Sequence, residues 1–300
     1  MPAYIQPESA NTQQTFPSDL LKGKVAFVTG GSSGICKQQT LALMQHGANA
    51  FIIGRSLEKA QKAASEMSNE TGNTCIGYSC DVRNPQSVSQ AVEQAIKDFG
   101  RLDVVICGAA GNFLAPISAM SANAFKTVID IDLLGTYNTI KATMPHLRKS
   151  RGVYIHITAT LHERATPLQV HVSAAKAGVE AISNVLAIEE GINGIRSNCI
   201  APGPIRGTEG MKKLSYKGTT SEKSSPLGRW GTFTDINNLT LFLVSDAANF
   251  LNGQVFRVDG GERHVQPTND YPNNLIEFQT LIKNGLIENR EASKQRQAKL

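Results

Sequence analysis

The chain is predicted to fold as a single α/β domain, a doubly wound parallel sheet with helices on both faces. Three observations carry this. Short apolar runs alternate with helical stretches of about ten to fifteen residues, the spacing of repeated βαβ units. The first apolar run opens through a glycine-rich loop into a helix, an arrangement that lets backbone approach a phosphate. The alternation continues to about Gly261 without an internal repeat, so one domain accounts for it. Right-handed crossovers then put helices on both faces.

Val25–Thr29 reads as a buried strand, an apolar run bounded by glycine. Gly30-Gly31-Ser32-Ser33-Gly34 turns into a helix over about Ile35 to Gln45. Ala50–Ile53 is the next strand, followed by a helix from Leu57 to Asn69. Strand Thr74–Ser79, helix Pro85–Phe99 and strand Val104–Cys107 continue the pattern. A long helix from Ala122 into Thr143 precedes strand Val153–Thr158, helix Ala174–Glu190 and strand Arg196–Ile200. A Pro/Gly-rich stretch over 201–208 and a charged stretch to Arg229 lead to helix Thr234–Ser245 and strand Gln254–Val258. The domain spans 23–261, between a polar, flexible arm over 1–22 and a C-terminal extension over 262–300.

With 300 residues, 41% of them hydrophobic, the chain can bury a large core. No apolar run reaches the roughly eighteen residues of a membrane-spanning helix, and the N-terminus lacks a basic-then-apolar signal. A soluble protein without a membrane span is expected. The net charge of +5 is unclustered, which points away from nucleic acid and suits anionic small molecules. Cys36, Cys75, Cys80, Cys107 and Cys199 form no CxxC pair, as in a reduced compartment. The six histidines have no metal-ligand spacing, so no metal is expected.

The loop from Gly30 to Ile35 lies between a strand and a helix, where free N–H groups and the positive helix end favour a pyrophosphate. The second strand ends in Gly54-Arg55. An acid there would bind the ribose hydroxyls of NAD, whereas Arg55 offers a cation to a 2′-phosphate. NADPH/NADP+ is therefore the expected cofactor.

These motifs resemble the short-chain dehydrogenase/reductases. The resemblance rests on the Gly30–Ile35 loop, Cys80-Asp81-Val82, Gly108-Ala109-Ala110-Gly111, Ala174-Ala175-Lys176-Ala177-Gly178 and Ala201-Pro202-Gly203-Pro204-Ile205. It covers about residues 24–261 and implies a Rossmann-type sheet. The implied cofactor contacts are Gly30, Gly31, Ser32, Ser33, Gly34, Ile35, Arg55, Ser56, Lys59, Asp81, Lys176, Pro202, Gly203, Pro204, Ile205 and Thr208. Cys36 departs from the pattern, standing where the family usually has its third glycine, and a slightly altered fit is expected. A larger departure lies four residues before Lys176. The family's proton-donating Tyr is Val172 here, and the Ser thirteen residues ahead of that Tyr is Ala159. The machinery for a carbonyl acid/base is missing.

The substitutions resemble those of the peroxisomal 2,4-dienoyl-CoA reductase branch, along with the runs 109–114, 157–161 and 202–210. That resemblance implies hydride delivery to C5 of a conjugated dienoyl-CoA, giving a 3-enoyl-CoA in β-oxidation of unsaturated fatty acids. It implies Asp132 and Lys176 as the catalytic residues, Asp132 holding the water that protonates C2. Asp130 reads as a helix-surface acid. Arg55, Arg83, Phe113, Ser121, Ala122, Asn123 and Lys213 are the implied acyl-CoA contacts, and Arg206, Lys212, Lys213 and Lys217 an implied lid. His171 reads as structural, and the long helices as the surface of a homo-dimer or homo-tetramer. Two other readings stay open on the sequence. One is a reductase of 3-oxoacyl or other carbonyl substrates with His171 or Asp132 replacing the Tyr, and the other is a silent nucleotide-binding scaffold.

Ala298-Lys299-Leu300 is a conservative variant of the Ser-Lys-Leu peroxisomal address, so an import receptor is an expected partner. Deleting these three residues is expected to leave the purified enzyme fully active and strand it in the cytosol. Fractionation or fluorescence imaging of a tagged chain checks this, and continued import would overturn it.

Overall fold

The computed structural model describes residues 8–208, 210–211, 225–265 and Thr280. Seven parallel strands form one sheet in the order β3-β2-β1-β4-β5-β6-β7. They are β1 (Val25–Thr29), β2 (Asn49–Gly54), β3 (Cys75–Ser79), β4 (Val104–Cys107), β5 (Val153–Ile157), β6 (Arg196–Pro202) and β7 (Val255–Val258). Central strands are buried on both faces and therefore read as continuous apolar runs; all five residues of β1 are buried.

Alternate residues of one strand feed opposite cores. Ala26 and Val28 join Leu43, Met44, Met67 and Leu241 on one face. Val25 and Phe27 join Val88, Val92, Leu147 and Leu186 on the other. After the short α1 (Thr12–Thr15), the helices that supply these faces are α2 (Gly34–Gln45), α3 (Leu57–Thr71), α4 (Pro85–Phe99), α5 (Ala122–Val128), α6 (Gly135–Ser150), α7 (Val170–Gly191) and α8 (Phe233–Val244). Asn84 caps α4 ahead of Pro85, and Gly72 and Gly100 end α3 and α4 in left-handed conformations. Thr232 and Asp235 form a reciprocal capping box on α8.

Four expectations change. The long helix is not uniform, because Ile129–Leu134 between α5 and α6 is a π-helical segment. α7 starts at Val170, so Lys176 sits in its second turn rather than at its start. The N-terminal arm is docked from residue 8 onward, although its polar sequence suggests looseness. Ser9 bonds Asp235 at 2.7 Å, the Ala10 carbonyl accepts from Asn238 at 2.7 Å, and Leu21 is buried in the core. The ordered domain also continues past Gly261, where Glu262 is buried and pairs with Arg164 at 2.8 Å. Lys212, Lys213, Lys217 and the terminal Ala298-Lys299-Leu300 lie outside the described residues.

One packing detail joins two departures in the sequence. A Cβ on Gly108 would fall on the Cys36 sulfur, so the residue that replaces the family's third glycine fills space that Gly108 leaves empty. Burial pushes the Cys36 thiol up to about 12, which makes it an apolar filler. Gly108→Ala is expected to cost about 1–3 kcal/mol by overpacking, and adding Cys36→Ala should recover most of it. Urea unfolding of the single and double variants checks this; equal losses in both would show that the sulfur is not the obstacle.

Candidate active site

The sheet order reverses between β1 and β4, and ligands of such sheets bind outside the carboxyl ends of the strands there. Gly30 and Gly34 take φ of +70° and +58°, values that favour glycine. A Cβ on Gly31 would stand 2.7 Å from Ile52, so the loop needs glycine to lie close on β2. Ser33 is the N-cap of α2 and makes no side-chain cap bond. The first-turn amides of α2 are thus free of a side-chain cap behind a close-lying loop that runs through Ser32 to Ile35, a cradle that fits a pyrophosphate. Thr29 Oγ1 accepts from the Gly108 and Ala109 amides at 2.9 and 3.0 Å, fixing the two rims of the crevice together.

Beside the cradle, Arg55 is exposed past the end of β2. Ser56 caps α3, its hydroxyl accepting from the Lys59 amide at 3.3 Å, and the Lys59 side chain is exposed. Arg83 is turned onto Asp81. Its Nε lies 3.0 Å from both oxygens of Asp81, and this bonding holds the Asp81 carboxyl below the usual carboxylate range. Two residues expected on different ligands are therefore paired with each other. Past β6, a Cβ on Gly203 would stand 2.7 Å from Asp259, Ile205 is buried, and the Thr208 hydroxyl donates to the Ile205 carbonyl at 2.9 Å. Pro202 to Thr208 thus turns tightly across the ends of β6 and β7.

Asp132 and Lys176 meet at the floor of the crevice. Asp132 is 1% exposed and Lys176 6%, and Lys176 Nζ lies 3.1 Å from Asp132 Oδ2. The Gly111 amide donates to Asp132 Oδ1 at 2.7 Å, and Lys176 Nζ donates to the Ile157 carbonyl at 2.9 Å. Burial raises the Asp132 carboxyl above its ordinary range, with Lys176 and the Gly111 amide pulling the other way. A raised carboxyl against an ammonium is the arrangement of a proton relay. Asp132 lies within the π segment Ile129–Leu134, whose i→i+5 bonding changes the rotation between successive side chains from that of an α-helix. Asp130, two residues earlier, points away and pairs with Lys126.

Val172 is 3% exposed and clusters with Val128, Ala175, Phe113, Leu133 and Leu161. The place of the missing donor is a small apolar core with no hydroxyl in it. His171 is fully buried and stacks on Phe113 with ring centroids 4.2 Å apart. Burial lowers its pKa, with the Phe113 backbone pulling the other way. Ser121 caps α5 by accepting from the Ala124 amide at 3.1 Å, and Ala122 and Asn123 are exposed in its first turn. Lys213 lies outside the described residues.

Four features escape the sequence reading: the π segment, the Gly111 amide, the Phe113–His171 stack and a cluster of His162, Glu163 and Glu180 with ligand atoms within 4.8 Å of one another. The π segment is a local run with the composition of an ordinary helix, and the other three have no pattern in the chain because each joins groups far apart in sequence. In the cluster, Glu163 also accepts from Arg257 at 2.8 Å.

Comparison with known proteins matches this geometry. A family model described as enoyl-(acyl carrier protein) reductase matches residues 30–262. The chain is 46% identical over 260 residues to the peroxisomal 2,4-dienoyl-CoA reductase of Saccharomyces cerevisiae, described as (3E)-enoyl-CoA-producing, covering 85% of this chain and 89% of the relative. It is 46% identical over 269 residues to the enzyme of that name from Rattus norvegicus, covering 88% and 91%. A short-chain dehydrogenase structure from Bacillus anthracis superposes with a TM-score of 0.74 at 36% identity, covering 83% of this chain and all of that one. Membership in this family implies a nicotinamide nucleotide cofactor. With its reversed parallel sheet, its glycine cradle and these relatives, the chain belongs to the short-chain dehydrogenase/reductase family.

Proposed function

We propose that this protein reduces 2,4-dienoyl-CoA to 3-enoyl-CoA with NADPH, in the peroxisomal breakdown of unsaturated fatty acids. The observation that carries the reading is the buried Asp132–Lys176 pair in a site whose carbonyl-donor positions are Val172 and Ala159. Bound at the glycine cradle, the cofactor supplies hydride to C5. The dienoyl electrons then move onto the thioester oxygen as a dienolate, and C2 takes up one proton.

The residues of the chain handle that proton. Asp132 Oδ1 is taken by the Gly111 amide, while Oδ2 faces the Lys176 ammonium at 3.1 Å and can also hold a water toward C2. Its raised carboxyl and the adjacent ammonium keep a proton at hand. Lys176 is tied to Ile157 as well as Asp132, which leaves it positioned for the ribose hydroxyls. The apolar cluster around Val172 keeps a donor away from the thioester carbonyl, so protonation goes to carbon. A carbonyl reductase using His171 in place of Tyr is disfavoured by the complete burial of that ring against Phe113.

NADPH over NADH rests on exposed Arg55 and the absence of an acid at Gly54. Peroxisomal import rests on the terminal Ala298-Lys299-Leu300 and on the names of the relatives. A homo-dimer or homo-tetramer is supported by apolar side chains left exposed on the long helices. Val185, Ile188 and Ile192 are 56%, 79% and 90% exposed, in a stripe on and just past α7, and Tyr137 on α6 is 48% exposed.

Asp132→Ala is expected to keep the fold and NADPH binding while lowering dienoyl-CoA reduction about a hundred- to ten-thousand-fold. Steady-state assay with 2,4-hexadienoyl-CoA checks it, and near-wild-type turnover would sink the catalytic assignment. Arg55→Ala should weaken NADPH far more than NADH. Catalytic efficiencies with the two cofactors test that, and an equal loss for both would remove Arg55 from 2′-phosphate recognition.

A further inference from the structure

Beyond the proton relay, the crevice contains a buried ring that no step of the proposed reaction uses. His171 is 0% exposed, and neither ring nitrogen makes an aligned hydrogen bond among the described residues, although a Phe113 backbone group lies close enough to act on the ring. Leaving such groups unpaired is costly, so something other than stability accounts for a histidine here. The Phe113 ring stacks on it at 4.2 Å and 31°. Phe113 is only partly buried, so His171 covers one side of it while part of the ring stays open.

The position of Phe113 is set tightly. It stands two residues after Gly111, whose amide bonds the catalytic carboxylate. Its own amide donates to Asn112 Oδ1 at 2.8 Å, Asn112 Nδ2 donates to Gln169 Oε1 at 2.8 Å, and the Ala115 amide donates to the Leu168 carbonyl at 3.0 Å. Leu168 and Ala165 hold φ of +68° and +50°. Strain of this kind in residues other than glycine persists only where the surroundings fix it, and it gathers at sites of function. Two loops are therefore zipped together just ahead of α7, and the Phe113–His171 stack closes the zipper beside Asp132.

We propose that His171 is a positioning residue that holds the Phe113 ring as a fixed wall that binds the acyl chain beside the proton relay. The wall acts by shape and stacking, not by hydrogen bonding from the imidazole. This rests on the dienoyl-CoA reading above.

A double-mutant cycle with Phe113→Ala and His171→Ala tests it, using 2,4-hexadienoyl-CoA and NADPH. Each single variant should raise KM for the acyl-CoA roughly two- to tenfold, the range that one aromatic pair carries. kcat should change little and NADPH affinity should hold. The double variant should be no worse than Phe113→Ala alone, because the buttress has no other target. His171→Phe keeps a ring in the stack and should hold KM near the wild-type value. If His171→Ala does not fold, His171→Leu takes its place in the cycle. Additive losses, or a fall in kcat at unchanged KM, would overturn the proposal. If wild-type protein turns over no dienoyl-CoA, the functional reading fails by itself. The same cycle is then read on calorimetric binding of 2,4-hexadienoyl-CoA to the NADP+-loaded protein, where additive losses again count against the wall.

Discussion

A carboxylate and an ammonium held together out of water constrain the rest of this molecule. Removing one partner from such a pair leaves a buried charge at a cost of about 3–5 kcal/mol, so the backbone around Asp132 and Lys176 has little freedom. The remaining bonds of the pair go to the Gly111 amide and the Ile157 carbonyl. Those two groups follow or end β4 and β5, which pair in register from Val104↔Val153 to Cys107↔His156. The sheet therefore sets the spacing of a catalytic pair that is not on it. The helices α7 and the π segment deliver the charges, and the strand ends receive them.

Much of the sheet was readable from the chain for a simple reason. Strands covered on both faces are almost wholly apolar, and Val25–Thr29 and Val104–Cys107 have the bounds expected of them. Helix starts were harder. Val170 to Ser173 carry no start signal, yet they are helical because His171 and Val172 are packed. The docking of the arm was hidden by a polar composition that says nothing about Thr12 and Leu21 being buried. In the site, Asp132 and Lys176 stood out through family resemblance, whereas the amide that orients Asp132 belongs to a glycine and has no side chain to read. Arg83 and Asp81 were each legible as charges, but their pairing is a matter of rotamer.

The departures from the family pattern also come in compensating sets. Cys36 takes up the room that Gly108 gives. Val172 packs with Phe113, Leu161 and Val128, so an apolar cluster stands where the family has its Tyr. Interiors are packed like crystals, and a change in one side chain is felt by whatever touches it. A site can exchange its chemistry, then, only when the volume around it is rebuilt at the same time.

The π segment from Ile129 to Leu134 gives this principle a different form. In an ordinary α-helix each residue turns by about 100°, so one residue more or less re-aims everything beyond it. Removing a residue from the segment would yield a smoother, better-bonded rod with its acid facing elsewhere. The direction in which the carboxylate leaves the helix is thus stored as a count of residues, and the contact with the Gly111 amide then holds it there. No exchange of one side chain for another can write that information into a helix that lacks the extra residue.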